Sequence, residues 1–251
     1  MSAMTELVHY DVADGVATIT LDSPHNRNAL SRQLVTELFE RLAAAEADDA
    51  VTALLLRSAG RVFCSGADLA EASAGSMEEG TRKIVELQRL IVGLDKPVVV
   101  EVLGGVRAGG IGIVAAADIA VAAEDASFAL TEVKLGLAAA TISLTVFHRM
   151  TPRAAALTTL GGEVFRGTEA AAYGLVTLAV PAEQLSAEVS RVCAALTTGA
   201  AQGLRESKRI LNRDLLARID ADGEELAALS TRLFASDAAR EAMTAFLSRS
   251  R

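Results

Sequence analysis

Three short, almost unbroken aliphatic runs constrain this chain more than any other feature: Thr52–Arg57, Val98–Val102 and Ile119–Ala123. A strand with one wet face alternates apolar and polar residues. A strand apolar at nearly every position belongs inside a sheet covered on both sides, which is the habit of parallel sheets. Amphipathic stretches separate these runs. Leu34, Val35, Leu38, Phe39 and Leu42 recur at helical spacing behind Ser31, a candidate N-cap, and Ile84, Leu87, Leu90, Ile91 and Leu94 form a second stripe. Ahead of them, Leu7–Val12 and Val16–Leu21 flank Asp14-Gly15, which predicts a hairpin with a primed turn. Strands alternating with helices predict an α/β fold with much parallel pairing. From about Thr168 the pattern turns helical, over 184–197, 202–218, 223–234 and 236–248, with one short strand near Leu175–Val180. A core over residues 1–190 and a helical C-terminal region over 191–251 are therefore expected.

Composition excludes several functions. Hydrophobic residues make up 51% of the 251 and charged residues 22%, so the chain can bury a sizeable core and is not disordered as a whole. Aromatic residues make up only 4%, with no Trp, which leaves little for base stacking. The net charge is −8 and no stretch gathers the Lys/Arg cluster that a nucleic-acid backbone needs. Cys64 and Cys193 are far apart and give neither a disulfide framework nor zinc spacing, so no metal is expected. Met1 to Tyr10 contains Glu6 and no apolar signal core, and no window is long and apolar enough for a membrane span. A cytoplasmic protein without a membrane partner is the expectation.

The densest cluster of small residues is Gly104-Gly105-Val106-Arg107-Ala108-Gly109-Gly110-Ile111-Gly112. Gly110, Gly112 and Ala115, with Glu132 about twenty residues on, outline a dinucleotide-binding fingerprint. The turn sits mid-chain, however, too far after Val102, and too little strand–helix pattern follows it to build a second half-sheet. The alternative use of such a turn is to let backbone N–H groups approach a ligand at a helix start. Ser65-Gly66-Ala67-Asp68 offers a second set of amides before a second helix. Two amides converging from separate loops make an oxyanion hole, with each donor worth on the order of 3 kcal/mol.

Five segments in register carry a resemblance over nearly the whole chain. They are Asn26–Leu30, Cys64–Leu69, Ala108-Gly109-Gly110 with Ala117-Asp118-Ile119, Phe128–Leu137, and the ending Ala245-Phe246-Leu247. In order and spacing the chain resembles the crotonase family, the enoyl-CoA hydratases and isomerases. The resemblance implies a crotonase-like ββα superhelix core and an acyl-CoA substrate whose thioester oxygen is held by the amides of Ala67 and Gly109. Glu132 stands where the family places its proton-handling carboxyl. CoA contacts are implied along Arg27, Ala29, Ser65, Gly66, Asp68, Leu69 and Gly110. No cofactor beyond the CoA of the substrate is implied, and the family's assemblies imply a homotrimer or hexamer.

The chain also departs from that pattern. Two-glutamate hydratases carry a second carboxyl three residues after the oxyanion glycine, and that position here is Gly112. In this respect, and over 138–143, the chain looks more like the branch that contains methylglutaconyl-CoA hydratases. Hydration with Glu132 as the one catalytic carboxyl, helped by Ser143 or an ordered water, is the expected activity. Isomerisation of a 3-enoyl to a 2-enoyl thioester, which needs one carboxyl, is the alternative, and an acyl-CoA binder with negligible turnover is a third. Arg107 is expected to face the pocket or solvent, His148 to pack on its helix, and Met77 to line either an acyl pocket or the core.

Overall fold

The computed structural model describes residues 5–74 and 77–249. It opens with a hairpin of β1 (Val8–Ala13) and β2 (Val16–Leu21), antiparallel with Val8 opposite Leu21. Asp14 and Gly15 have φ of 51° and 78°, the two positive values that a type I′ turn requires. Helix α1 (Arg32–Ala47) follows, its first turn capped by the Ser31 hydroxyl, which accepts from the Leu34 amide at 3.3 Å. Leu34, Val35, Leu38 and Leu42 are buried on its inner face.

The chain then winds three times through one unit of long strand, short strand and helix. The first turn is β3 (Ala53–Ser58), β4 (Val62–Cys64), α2 (Leu69–Ala74) and α3 (Glu78–Gly93). The second is β5 (Val98–Val102), β6 (Gly105–Arg107) and α4 (Gly109–Ala116), and the third is β7 (Ile119–Ala123), β8 (Ser127–Ala129) and α5 (Ala140–Arg149). After these come α6 (Pro152–Gly161), β9 (Phe165–Arg166), α7 (Gly167–Tyr173), β10 (Leu178–Val180), α8 (Leu185–Thr197), α9 (Ala201–Phe234) and α10 (Asp237–Arg249).

The long strands stack into a six-stranded sheet in the order β1-β2-β3-β5-β7-β10, parallel at every pairing but β1 with β2. The short strands stack into a second sheet, β4-β6-β8-β9, parallel except at β8 with β9. This is the ββα superhelix that the resemblance implies. Its consequence for function lies in the small sheet. Cys64 pairs with Val106 and Val106 with Phe128, so the segments that leave β4 and β6 emerge side by side.

Two expectations need correction. The stretches read from sequence as a loop after Ser58 and as one long glycine turn after Val102 each contain a short strand, β4 and β6. Three residues are too few to show a period. Segments 202–218 and 223–234 are also one continuous helix, α9. Gly223 does not end it: a Cβ there would stand 2.8 Å from Val85 Cγ1, so the glycine lets α9 lie close against α3. The acidic residues beside it are ion-paired across the same contact, Asp220 with Arg89 at 2.6 Å and Glu224 with Arg82 at 2.8 Å. Residue 190 lies inside α8, which packs on β3, β5 and β7. Among the described residues no helix is long and apolar enough to cross a membrane.

A buried polar knot fixes α9 to the sheet. The Lys208 ammonium donates to the carbonyls of Ile91 (3.0 Å) and Lys96 (2.9 Å) and lies 2.8 Å from Asp118 Oδ2. Asn212 donates to Asp118 Oδ1 at 2.8 Å. Removing one partner strands the other charge out of water, at about 3–5 kcal/mol. Lys208→Ala is accordingly expected to lose about that much in urea unfolding, whereas a loss under about 1 kcal/mol would place this pair with solvated surface pairs.

Candidate active site

The two loops that leave the small sheet are built to touch. Gly66 has φ of +92°, and a Cβ on it would meet Ala108 Cβ at 2.9 Å and the Gly109 nitrogen at 3.7 Å. A Cβ on Gly110 would meet Cys64 Cβ at 2.6 Å, and one on Gly109 would meet Leu30 Cδ1 at 2.7 Å. Glycine is the residue that permits this approach at all three positions. Ala108, the residue before α4, has φ of 45° and ψ of −119°, a conformation that costs an L residue on the order of 1–3 kcal/mol. The strain is held where the helix starts, so the Gly109 amide opens the helix with no carbonyl behind it. Among the described residues neither the Ala67 nor the Gly109 amide has an acceptor.

A third segment clamps these loops. The Leu30 amide donates to Gly66 O at 2.8 Å, and Leu30 and Ala67 form an isolated parallel bridge. Asn28, buried and left-handed at φ 54°, donates to the carbonyls of Val62 (2.9 Å) and Phe63 (3.2 Å) and accepts from the Ser23 amide at 2.6 Å. The Ser65 hydroxyl donates to Asn26 O at 3.0 Å. Asp68 caps α2, its Oδ1 accepting from the amides of Ala70 (2.9 Å) and Glu71 (3.2 Å), while Oδ2 accepts from Asn26 at 3.1 Å.

A cavity of about 980 Å³ opens beside these loops. Of the residues singled out from sequence, Arg27, Ala29, Ser65, Ala67, Asp68, Gly109, Glu132 and Met77 line it. Gly66 and Gly110 do not; they sit behind the wall and supply the close packing just described. Leu69 opens α2, and its side chain lies outside the described residues, as do those of Phe246 and Leu247 at the end of α10. Arg107 does not line the cavity and is partly exposed. Its guanidinium donates to Val106 O (2.8 Å), Ser127 O (2.6 Å) and Ser127 Oγ (3.2 Å). Ser143 is buried with its hydroxyl turned to Ala140 O at 2.7 Å, so it does not assist in the cavity, and His148 is exposed on α5. Among the described residues no His, Cys, Asp or Glu cluster is placed to hold a metal ion.

Glu132 opens the short 3₁₀ turn after β8. Its Oε2 is buried and has no hydrogen-bond partner, and burial pushes the carboxyl up to about 7 against a small opposing pull from its own backbone. Three residues past Gly109, a Cβ on Gly112 would meet Ile142 Cγ2 at 2.6 Å and Gln88 Oε1 at 3.2 Å. The space for a second carboxyl is filled. Gln88 is itself engaged, accepting from Thr145 Oγ1 at 2.6 Å and donating to Ile84 O and Thr141 O. Gly110 and Gly112 thus serve close packing against Cys64 and Ile142.

Sequence reasoning missed the opposite wall: Leu135, Leu137, Thr141 and Ile142 from the third turn, and Ser230 and Phe234 from α9. Nothing in the sequence local to 230 marks it, because α9 reaches the cavity only through its packing on α3 and α5.

The sequence model of the family described as Enoyl-CoA hydratase/isomerase matches residues 11–251. The chain belongs to that family. The crystal structure of an enoyl-CoA hydratase from Mycobacterium avium superposes with a TM-score of 0.91 at 44% identity, covering 98% of each chain. Enoyl-CoA hydratase domain-containing protein 3, mitochondrial, of Rattus norvegicus is 35% identical over 71% of this chain and 61% of its own length. The trans-2-decenoyl-[acyl-carrier-protein] isomerase of Streptococcus mutans is 29% identical over 80% of each chain. Relatives in the family therefore carry both hydratase and isomerase names.

The Glu132 carboxyl links site to stability. Between pH 4.5 and about 7 the unfolded chain has released this proton while the folded chain retains it, so rising pH favours unfolding over that window. Glu132→Gln removes the effect. The variant is expected to match the parent near pH 4 and to exceed it by about 1–3 kcal/mol in denaturant unfolding at pH 8; equal stability at both pH values would contradict the raised carboxyl.

Proposed function

We propose that this protein hydrates the 2,3 double bond of an enoyl-CoA thioester, with Glu132 as its one proton-handling carboxyl and the amides of Ala67 and Gly109 as the donors to the thioester oxygen. The observation that carries this is the buried, unpartnered Oε2 of Glu132, titrating at about 7 in the cavity that those two amides line. A carboxyl of that pKa exchanges protons in both directions near neutrality, which general acid–base catalysis needs. The carboxylate takes a proton from water as the water oxygen bonds to C3. The C2–C3 π electrons move into the thioester, giving an enolate whose oxygen the two amides stabilise. Glu132 then returns the proton to C2, and the carboxylate is regenerated. Thr131 and Thr141 line the same cavity with hydroxyls that have no partner among the described residues, which gives a water polar groups to bind beside the carboxyl.

Isomerisation is the second reading, and the closed space over Gly112 favours it, since moving a proton from C2 of a 3-enoyl thioester to C4 needs one carboxyl and no water. The two are separated by offering crotonyl-CoA and a 3-enoyl-CoA to the purified protein and following the conjugated thioester absorbance. Hydration predicts that crotonyl-CoA is consumed, that kcat/KM rises with pH to a plateau above about 7 as Glu132 ionises, and that Glu132→Gln lowers it at least about 10²-fold. Conversion of the 3-enoyl-CoA alone would replace this reading with the isomerase. Self-assembly is part of the proposal: Leu157, Leu160, Ile210 and Leu211 are all more than 60% exposed, and a trimer or hexamer is expected by light scattering.

A further inference from the structure

The cavity lining falls into two sets, one exposed and charged and one buried. In the first, the charged side chains Arg27, Arg32, Glu40, Glu71, Glu79 and Lys83 are exposed to solvent, as suits a large hydrophilic carrier. In the second, the lining is buried and comes from α3, α5 and α9: Thr81, Ile142 and Ser230, with the partly buried Ile84 and Phe234. An apolar chain needs nothing polar there.

Ser230 breaks that rule. It is 6% exposed, it lines the cavity, and its hydroxyl has no partner among the described residues. A helical Ser or Thr can turn back on the carbonyl one turn earlier. Thr36, Thr158, Thr231 and Thr244 all do so here, to the carbonyls of Arg32, Ala154, Ala227 and Arg240. Ser230 has the same option at Leu226 and does not take it. Thr81, next to it on the lining, is already engaged with Glu78 O at 3.1 Å and Thr231 Oγ1 at 2.8 Å. Thr131 and Thr141 are also unengaged, but both are partly exposed. Ser230 is thus the one buried lining hydroxyl, among the described residues, that is left to a ligand.

We infer that the acyl group carries a neutral hydrogen-bonding substituent, a hydroxyl or a keto oxygen, which reaches the buried Ser230 hydroxyl in the cavity lining. Charge selects the neutral class. A terminal carboxylate at Ser230 would be buried without a counter-ion, because the basic lining side chains Arg27, Arg32 and Lys83 are exposed and Lys83 is paired with Glu86 at 2.7 Å. A purely alkyl chain would leave the Ser230 hydroxyl desolvated and unpaired. The inference rests on the acyl-CoA reading above and adds the class of acyl group.

The test compares two 2-enoyl-CoA substrates of equal chain length, one ending in a methyl and one in a hydroxyl, on the parent and on Ser230→Ala. The readout is the ratio of their kcat/KM values. The parent is expected to favour the hydroxylated substrate about tenfold, mostly through KM, and Ser230→Ala to bring the ratio near one. A parent ratio near one, or a ratio that Ser230→Ala leaves unchanged, would overturn the inference while hydration itself stood. Should neither substrate turn over, the hydration reading fails and calorimetry reads the same contrast. Tighter binding of the saturated ω-hydroxyacyl-CoA than of the alkyl acyl-CoA, lost in Ser230→Ala, supports the inference, and equal affinities sink it.

Discussion

Parallel pairing of β4 with β6, and the contact of Gly110 against Cys64 just beyond it, hold the rest of the site in place. The two strands come from successive turns of the superhelix, and their pairing delivers the Ala67 and Gly109 segments to one edge of one cavity. Both Cys64 and Val106 are fully buried, so the registration is set by packing and does not depend on loop chemistry. Cys64 illustrates how complete that burial is. Its thiol is pushed up to about 12 by desolvation, which leaves it a small apolar wedge under α4 with no nucleophilic role.

Around that contact the chain places its conformational cost in one spot. Ala108 occupies a backbone region that an L residue avoids, and the structure over-determines it through Gly66 on one side and the start of α4 on the other. What the strain yields is direction: beside the cavity stand two amides that have no acceptor among the described residues. Glu132 carries a second cost, a carboxyl kept out of water with one oxygen unpaired. Both costs are borne by residues that line the same cavity.

Much of this was legible in the sequence. The apolar runs gave the parallel sheet, Asp14-Gly15 the hairpin and Ser31 the cap, because each depends on residues adjacent in the chain. Glu132, Ala67 and Gly109 were found through the spacing of family motifs, and all three line the cavity. What escaped was non-local. β4 and β6 are too short to show a period, and 202–218 and 223–234 read as separate helices because what joins them lies partly on another helix, where Gly223 packs on Val85. Ser230 escaped for the same cause, since a serine in a polar helix carries no mark until α3 and α5 pack against it. The occlusion of Gly112 by Ile142 is likewise a fact of packing. The sequence showed a missing carboxyl, and the fold shows that its place has been taken.

The central claim is that one buried carboxyl, poised near neutrality, does the proton handling. Its direct test is a titration of the free protein by carbon NMR with the glutamate side-chain carboxyls labelled, in the parent and in Glu132→Gln. The account predicts one glutamate resonance titrating near pH 7 that is absent from the variant. If every glutamate resonance of the parent titrates in the ordinary range near 4.5, the account is contradicted.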